Sequence, residues 1–390
     1  MLLDNKQVAI VGGGPGGLTL ARLLQLNGVK VKVYERDFNK YVRVQGATLD
    51  LHYESGLKAL KEAGLIDAFK ENYRPGADKG RIVDKKGNII YDEHGVAVDA
   101  LLTEDLDNEW ARPEIDRGPL RNMLLNSLEP YTVVWDRQFV NMLQVDGVWK
   151  LEFKNGTTAT ADIVIGTDGA NSKIRPFVTP VKPAYAGTTI LQGNIPDSEI
   201  AAPKLHQLLK GGKIYVHADG KFLHLSSKGD GSMDFYISCK VDENWLKNIG
   251  IDFSDKGQVM AWFGKEFADW DNIWLELVDN MYLPLLLRPQ YCMPFDQNWD
   301  AQPNITLLGD AAHIMPPSGE GVNLAMLDAL ELTECLTGND FTDIQSAIAA
   351  YEKPMQQRAS AEAQVSMEMV EWIHSDDAQD KMMRLLSQGE

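Results

Sequence analysis

Hydrophobic positions along this chain fall into two textures. Gln7-Val8-Ala9-Ile10-Val11 is a short apolar, β-branched run and predicts a buried parallel strand. From Gly16 the period changes: Leu18, Leu20, Ala21, Leu23 and Leu24 recur at helical spacing until Asn27-Gly28 stops them. Val31-Lys32-Val33-Tyr34 predicts a second strand, and a helix is expected around Glu54–Ala63. Gly80–Asp84 and Ile89–Tyr91, on either side of a Lys86-Gly87-Asn88 turn, read as strands. Arg117–Leu128 reads as a helix, and a meander then runs through Thr132–Trp135, Phe139–Gln144, Trp149–Phe153 and Thr160–Gly166.

Residues 180–290 carry the second texture, that of an antiparallel sheet. Thr189–Gly193, Lys213–His217, Phe222–Ser226 and Met233–Cys239 are short runs separated by glycine-rich turns, followed by helical patterns over 242–278. Asn304–Leu308 reads as one more buried strand, and the remainder is helical, with a long apolar stripe from Ile344 to about Ile373. The expected architecture is therefore α/β: a discontinuous Rossmann-like domain (1–75, 106–178 and 290–340), an inserted antiparallel-sheet domain (76–105 and 179–289) and a C-terminal helical region (341–390) bridging them.

Three separate segments carry candidate chemistry. Gly12, Gly14 and Gly17 satisfy G-x-G-x-x-G across the first strand-to-helix turn, with Pro15 between them. Such a loop makes a tight turn, brings backbone close to a pyrophosphate and presents a helix N-terminus to it. Glu35 ends the second strand, 18 residues after Gly17, where a carboxylate can accept hydrogen bonds from an adenosine ribose. It favours an unphosphorylated ribose, although Arg36 follows it. The loop alone leaves FAD and NAD open. Thr167-Asp168-Gly169 and Leu308–His313, on either side of the inserted sheet, turn the reading to FAD.

Composition narrows the partners. A net charge of −18 and a pI near 4.8 argue against nucleic acid or an anionic membrane. No apolar stretch approaches bilayer length and Met1 leads straight into the first strand, which predicts a cytoplasmic protein. Cys239, Cys292 and Cys335 are scattered, with no disulfide framework or metal-ligand spacing. No Ser-His-Asp order stands out. His52 and His313 read as structural histidines rather than bases.

Several segments together resemble the class A flavoprotein aromatic hydroxylases, the group typified by para-hydroxybenzoate hydroxylase. These are Val33–Asp37, Thr48–His52, Pro113–Arg117 with Leu120-Arg121, Leu124–Leu128, Val134–Arg137 and Gly309–Pro317. Within that group the chain is most similar to the tetracycline-inactivating flavin monooxygenases. The resemblance implies non-covalent FAD, with NADPH or NADH as a transient co-substrate, since only one dinucleotide loop is present. It implies a flavin C4a-hydroperoxide that passes one oxygen atom of O2 to a small aromatic or polycyclic substrate, with no protein acid or base required. By matched position, Gly12, Gly14, Gly17 and Glu35 would hold the ADP half, and Arg117, with Arg121 close behind, would meet the phosphate or ribityl region. Asp310 would bind the ribityl hydroxyls, Asp168-Gly169 would brace the pyrophosphate, and Arg43 and Asp50 would lie near the ribityl chain and the ring. Pro317, Gly319, Gly321, Val322 and Asn323 would open a helix at the flavin edge. Gln192, Lys213, His224 and Asp234 would face the substrate, with Met367, Met369 and Trp372 near its entrance. A monomer, no metal and a tetracycline-type substrate are expected. Another phenolic or polyketide substrate, or an FAD-dependent dehydrogenase without oxygen insertion, stays open as the alternative.

Overall fold

The structure is a computed structural model that describes residues 2–42, 46, 48–95, 106, 108–109 and 112–387. In chain order, β1 (Val8–Val11), α1 (Pro15–Leu26) and β2 (Val31–Tyr34) form the opening β-α-β unit, followed by β3 (Thr48–Asp50). Strands β4 (Gly80–Val83), β5 (Ile89–Asp92) and β6 (Glu114–Asp116) precede α2 (Arg117–Asn126). The meander holds β7 (Val133–Val134), β8 (Phe139–Val145), β9 (Val148–Phe153), β10 (Thr158–Ala161) and β11 (Ile163–Gly166). The second half adds β12 (Ala184–Ile195), β13 (Lys213–Ala218), β14 (Lys221–Ser227), β15 (Met233–Lys240), α3 (Lys256–Glu266), β16 (Leu286–Cys292) and β17 (Ile305–Leu307), then α4 (Gly321–Thr337) and α5 (Ile344–Ile373).

Two large sheets result. The first is five-stranded, in the order β17-β11-β1-β2-β7, and all its pairings are parallel. Strands β1, β11 and β17 are buried along their whole length, as expected of runs covered on both faces. The second sheet is seven-stranded, in the order β16-β12-β15-β14-β13-β4-β5, and antiparallel except between β13 and β4. Its apolar alternates Leu191, Ile214, Leu223, Phe235 and Ile237 pack on one side with Trp262 and Phe263 of α3 and with Trp274. Its other alternates face the first sheet's domain. A small β3–β6 ladder joins the two, and β8, β9 and β10 form a separate three-stranded sheet.

Several elements differ from their sequence expectation. Thr160–Gly166 is two strands rather than one. Asp162 breaks it, its carboxylate accepting from the backbone of Gln7 at 2.8 Å and from Lys6 Nζ at 3.3 Å, so that β10 stays antiparallel on β9 and β11 turns into the parallel sheet. The helix around Glu54–Ala63 begins as a π-turn over Tyr53–Leu57 and becomes α-helical only from Lys58 to Glu62. Strand β16 was not expected, because Arg288, Pro289 and Gln290 interrupt its apolar pattern; as the edge strand it tolerates the proline and carries the sheet past residue 289. Residues 242–278 are short helical pieces around α3 rather than one helical stretch.

Candidate flavin and substrate site

The glycine loop sits where β1 enters α1. Gly12 adopts φ +118°, and a Cβ there would lie 2.3 Å from the Thr167 carbonyl oxygen; a Cβ on Gly17 would meet the Gly12 carbonyl oxygen at the same distance. Both positions are closed to any side chain. Gly14 is the opposite case: a Cβ would meet nothing within 4 Å, so the loop opens outward there, at the N-terminus of a helix whose first residue is Pro15. Glu35 is 2% exposed and braces this loop, accepting from the Gly13 amide at 2.6 Å and the Asp37 amide at 2.9 Å.

The three motif segments converge. Thr167 donates its hydroxyl to the Gly12 carbonyl at 2.7 Å, which ties the Asp168-Gly169 turn to the glycine loop. Gly16 packs so closely on α4 and Leu308 that a Cβ would lie 2.8 Å from the Ala325 carbonyl oxygen. Arg175 joins the remaining pair: its guanidinium donates to the Ala311 carbonyl at 2.7 Å, the Asp310 carbonyl at 2.8 Å and the Ala170 carbonyl at 3.3 Å. Sequence reasoning missed Arg175. Its signal was a lone arginine after Ser172 in the turn that follows Asp168-Gly169.

The expected cofactor residues other than Arg43 can be placed. Asp168 is taken up internally, its carboxylate accepting from Ser172 Oγ and the Lys173 amide at 2.6 Å and from the Ile174 amide at 3.3 Å. It shapes the turn that leaves Gly169 at φ +79° with open space beyond. Asp310 is different. Among the described residues no hydrogen bond reaches its carboxylate; Arg175 takes its backbone carbonyl, and the residue is exposed. Crowding raises its carboxyl above the ordinary range, against the pull of His313, Arg117 and Arg175. Gly321, with open space in front of it, Pro317 and Gly319 (φ +95°) are exposed, Val322 is half-buried, and Asn323 is buried. Arg121 lies in the interior beside Asp37 and over the Trp135 ring, and Arg36 is exposed. Arg43 lies outside the described residues.

The two histidines diverge. His313 is buried against Asp328 at 2.6 Å, with Arg358 on the other carboxylate oxygen at 2.9 Å and the Gly309 amide also bound, a structural ion pair beneath the Gly309-Asp310 turn. His52 bridges two elements: one ring nitrogen meets Asp50 at 2.9 Å and the other Glu320 at 3.1 Å.

On the inward face of the large sheet, strand register sets the substrate residues in rows. Gln192, Tyr236, His224 and Tyr215 lie side by side across β12, β15, β14 and β13. Asn194, Asp234, Ser226 and Lys213 form the next row, and Ile190, Ser238, Phe222 and His217 the row on the other side. All four expected substrate residues thus share one face. His224 lies among Tyr215, Phe222 and Tyr236, with ring centroids 5.0, 6.4 and 6.1 Å away. Burial, aided by the charge of Lys213, pushes this imidazole down to about 3, so it is neutral. Lys213 forms an ion pair with Glu114 of β6. Burial opposes its charge, but Tyr215, Glu114 and Asp50 outweigh burial and raise its pKa. Gln192 accepts from Arg288 Nε of β16 at 2.7 Å, a partner that the sequence concealed along with its strand. Asp234 is fully buried on this face; it accepts from Asn194 at 2.7 Å, and its second oxygen has no partner among the described residues. At the far end of the face, Trp372 of α5 lies 6.1 Å from the His217 ring.

The chain belongs to the FAD_binding_3 family, described as the FAD binding domain, whose pattern it matches over residues 5–249 and 297–366. It is a flavin-dependent monooxygenase of the para-hydroxybenzoate hydroxylase type. It is 25% identical over 97% of its length to the monooxygenase penA of Penicillium thymicola, covering 98% of that protein. Its fold is that of Klebsiella pneumoniae HpxO solved with FAD and uric acid (TM-score 0.75, 20% identity, 99% of this chain and 93% of that one). It is likewise that of the tetracycline destructase Tet(55) (TM-score 0.73, 20% identity, 100% of this chain and 97% of that one).

Proposed function

We propose that the chain uses NADPH or NADH and O2 to hydroxylate an electron-rich aromatic or polyketide substrate, with a tetracycline-type polycycle as the substrate to test first. The observation that carries this reading is the meeting of two surfaces. One is a cleft edged by Gly14, Gly169, Asp310 and Gly321 with side chains withheld or left open; the other is an aromatic row on the sheet face, linked to that cleft through Lys213, Glu114 and the β3–β6 ladder. The cleft fits FAD: open space lies where a pyrophosphate needs backbone amides, and a partnerless carboxylate stands where ribityl hydroxyls need an acceptor.

In this reading Gly12, Gly14 and Gly17, with the start of α1, hold the pyrophosphate, and the braced Glu35 carboxylate lies at the adenosine ribose. Arg117 and Asp310 take the phosphate–ribityl region, and Asp168 acts through the shape of its turn. Pro317–Asn323 meet the ring, where the N-terminus of α4 favours negative charge. Bound FAD supplies the redox chemistry, taking electrons from a nicotinamide and passing one oxygen atom of O2 to the substrate. The protein contributes position and dryness. Tyr215, Phe222 and Tyr236 offer flat apolar surface to an aromatic ring, and neutral His224 and Gln192 offer directional hydrogen bonds without a competing charge. Lys213 is already neutralised by Glu114, which suits a phenol or enol better than a free carboxylate.

The test uses the purified yellow holoprotein. NADPH oxidation is followed with and without tetracycline, and the product is weighed by mass spectrometry. Faster oxidation with a product one oxygen heavier is expected. Stimulated oxidation without oxygen incorporation indicates a dehydrogenase, and a colourless protein that takes up no FAD ends the reading altogether.

A further inference from the structure

We propose that His52 is a positioning residue whose imidazolium locks the Pro316–Gly321 loop onto the end of β3 and so sets how tightly FAD is held. This rests on the flavin reading of that loop. The lock has two parts. The first is neutral: Asn323 accepts from the His52 amide at 2.9 Å and donates to the Asp50 carbonyl at 3.0 Å, stapling α4 to β3 through backbone groups. The second is ionic and uses the His52 side chain alone, bridging Asp50 of β3 and Glu320 of the loop. Gly319 lies between these arms; a Cβ there would sit 3.9 Å from both Asp50 carboxylate oxygens.

The surroundings make the bridge depend on charge. His52 faces three acids from three elements: Asp50 at the end of β3, Glu320 before α4, and Glu362 of α5, whose carboxyl is raised by burial and by the Glu320 charge. Lys213 acts on Asp50 from the sheet and is itself held by Glu114. Burial pulls the His52 imidazole down, but hydrogen bonds to Asp50 and Glu320 outweigh it and hold it at about 9. With both ring nitrogens donating, the imidazolium is the only form that satisfies both carboxylates. Once it is neutral, Asp50 and Glu320 are left as like charges on either side of it, beside a cleft that must also accept a phosphate-bearing ligand. The neutral Asn323 staple persists; the ionic arm opens.

The test reads FAD release from the holoprotein by the rise in free-flavin fluorescence on dilution, from pH 7 to pH 10.5. The parent is expected to lose about tenfold in FAD affinity as the pH passes about 9. His52→Gln is expected to be about tenfold weaker already at pH 7 and flat across the range. Glu320→Gln, on an accessible loop, is expected to move the transition to lower pH, since one of the two acids holding the imidazolium is gone. Circular dichroism establishes that each variant is folded; if His52→Gln is not, the Glu320→Gln midpoint decides alone. An unshifted midpoint in Glu320→Gln, or a His52→Gln protein with parental affinity and profile, overturns the proposal. Absence of FAD from the parent at every pH instead overturns the flavin reading beneath it.

Discussion

The two sheets present different kinds of surface. In the parallel sheet, β1, β11 and β17 are buried throughout and apolar apart from Thr306, and the turn out of β1 is shaped by the backbone: a positive φ at Gly12, missing Cβ atoms, a helix N-terminus. In the antiparallel sheet one face is apolar, and the other is a mosaic of Tyr, His, Gln and Lys whose state depends on partners far away in sequence. The first arrangement is set by backbone shape. The second can be re-specified by changing a few side chains without touching the scaffold.

Substitutions can break or sharpen that contrast. The largest effect is expected from Gly12→Val, where a side chain must occupy the space of the Thr167 carbonyl; FAD affinity is expected to fall about 100-fold or more, read as loss of flavin absorbance on purification. Next is Arg175→Leu, which strands three carbonyls between the Asp168 and Asp310 turns. It is expected to cost about 2–3 kcal/mol in chemical denaturation as well as weakening FAD binding. Asp310→Ala separates those two effects: because its carboxylate serves no protein donor among the described residues, FAD is expected to be lost while the melting temperature of the FAD-free protein matches that of the FAD-free parent. Full retention of FAD removes Asp310 from its role. On the other sheet, His224→Phe is expected to leave FAD affinity unchanged and to alter substrate KM about tenfold, measured by substrate-stimulated NADPH oxidation.

The smallest effect concerns His217, 6% exposed and hydrogen-bonded at 3.1 Å to the Ile373 carbonyl. Burial pushes it down to about 4, so the fold prefers the neutral ring. Its contribution is fully present above the unfolded-state value near 6.5 and is lost as pH falls towards 4, by up to about 2 kcal/mol. Urea midpoints measured from pH 7 to pH 4 are expected to fall less steeply for His217→Phe than for the parent; equal slopes exclude the assignment.

Legibility in the sequence follows the same divide. The strand-turn-helix over 7–26, the strand at Asn304–Leu308 and the helix at Ile344–Ile373 were readable because periodicity and glycine placement determine them locally. Asp162 was hidden because a hinge between two sheets exists only when Gln7 and Lys6 are beside it. Arg288 was hidden because its edge strand breaks alternation, and the burial of Asp234 because the strand pattern gives a residue's face but not what covers it. His52 read as a structural histidine, but its partner could not be named, since Glu320 meets it only after some 270 intervening residues have folded.

The order of the parallel sheet also has a consequence in time. Strand β11 pairs with β1 on one side and with β17 on the other, and β17 lies at Ile305–Leu307. During synthesis the N-terminal strands are available from the outset, yet the edge of β11 stays open until the whole antiparallel sheet has emerged. The Gly309-Asp310 turn directly after β17, which we propose as the third wall of the cofactor pocket, is consequently among the last parts of the molecule to be completed. A ribosome-stalled chain ending before residue 305 can carry the glycine loop and still lack the turn whose carbonyls Arg175 holds.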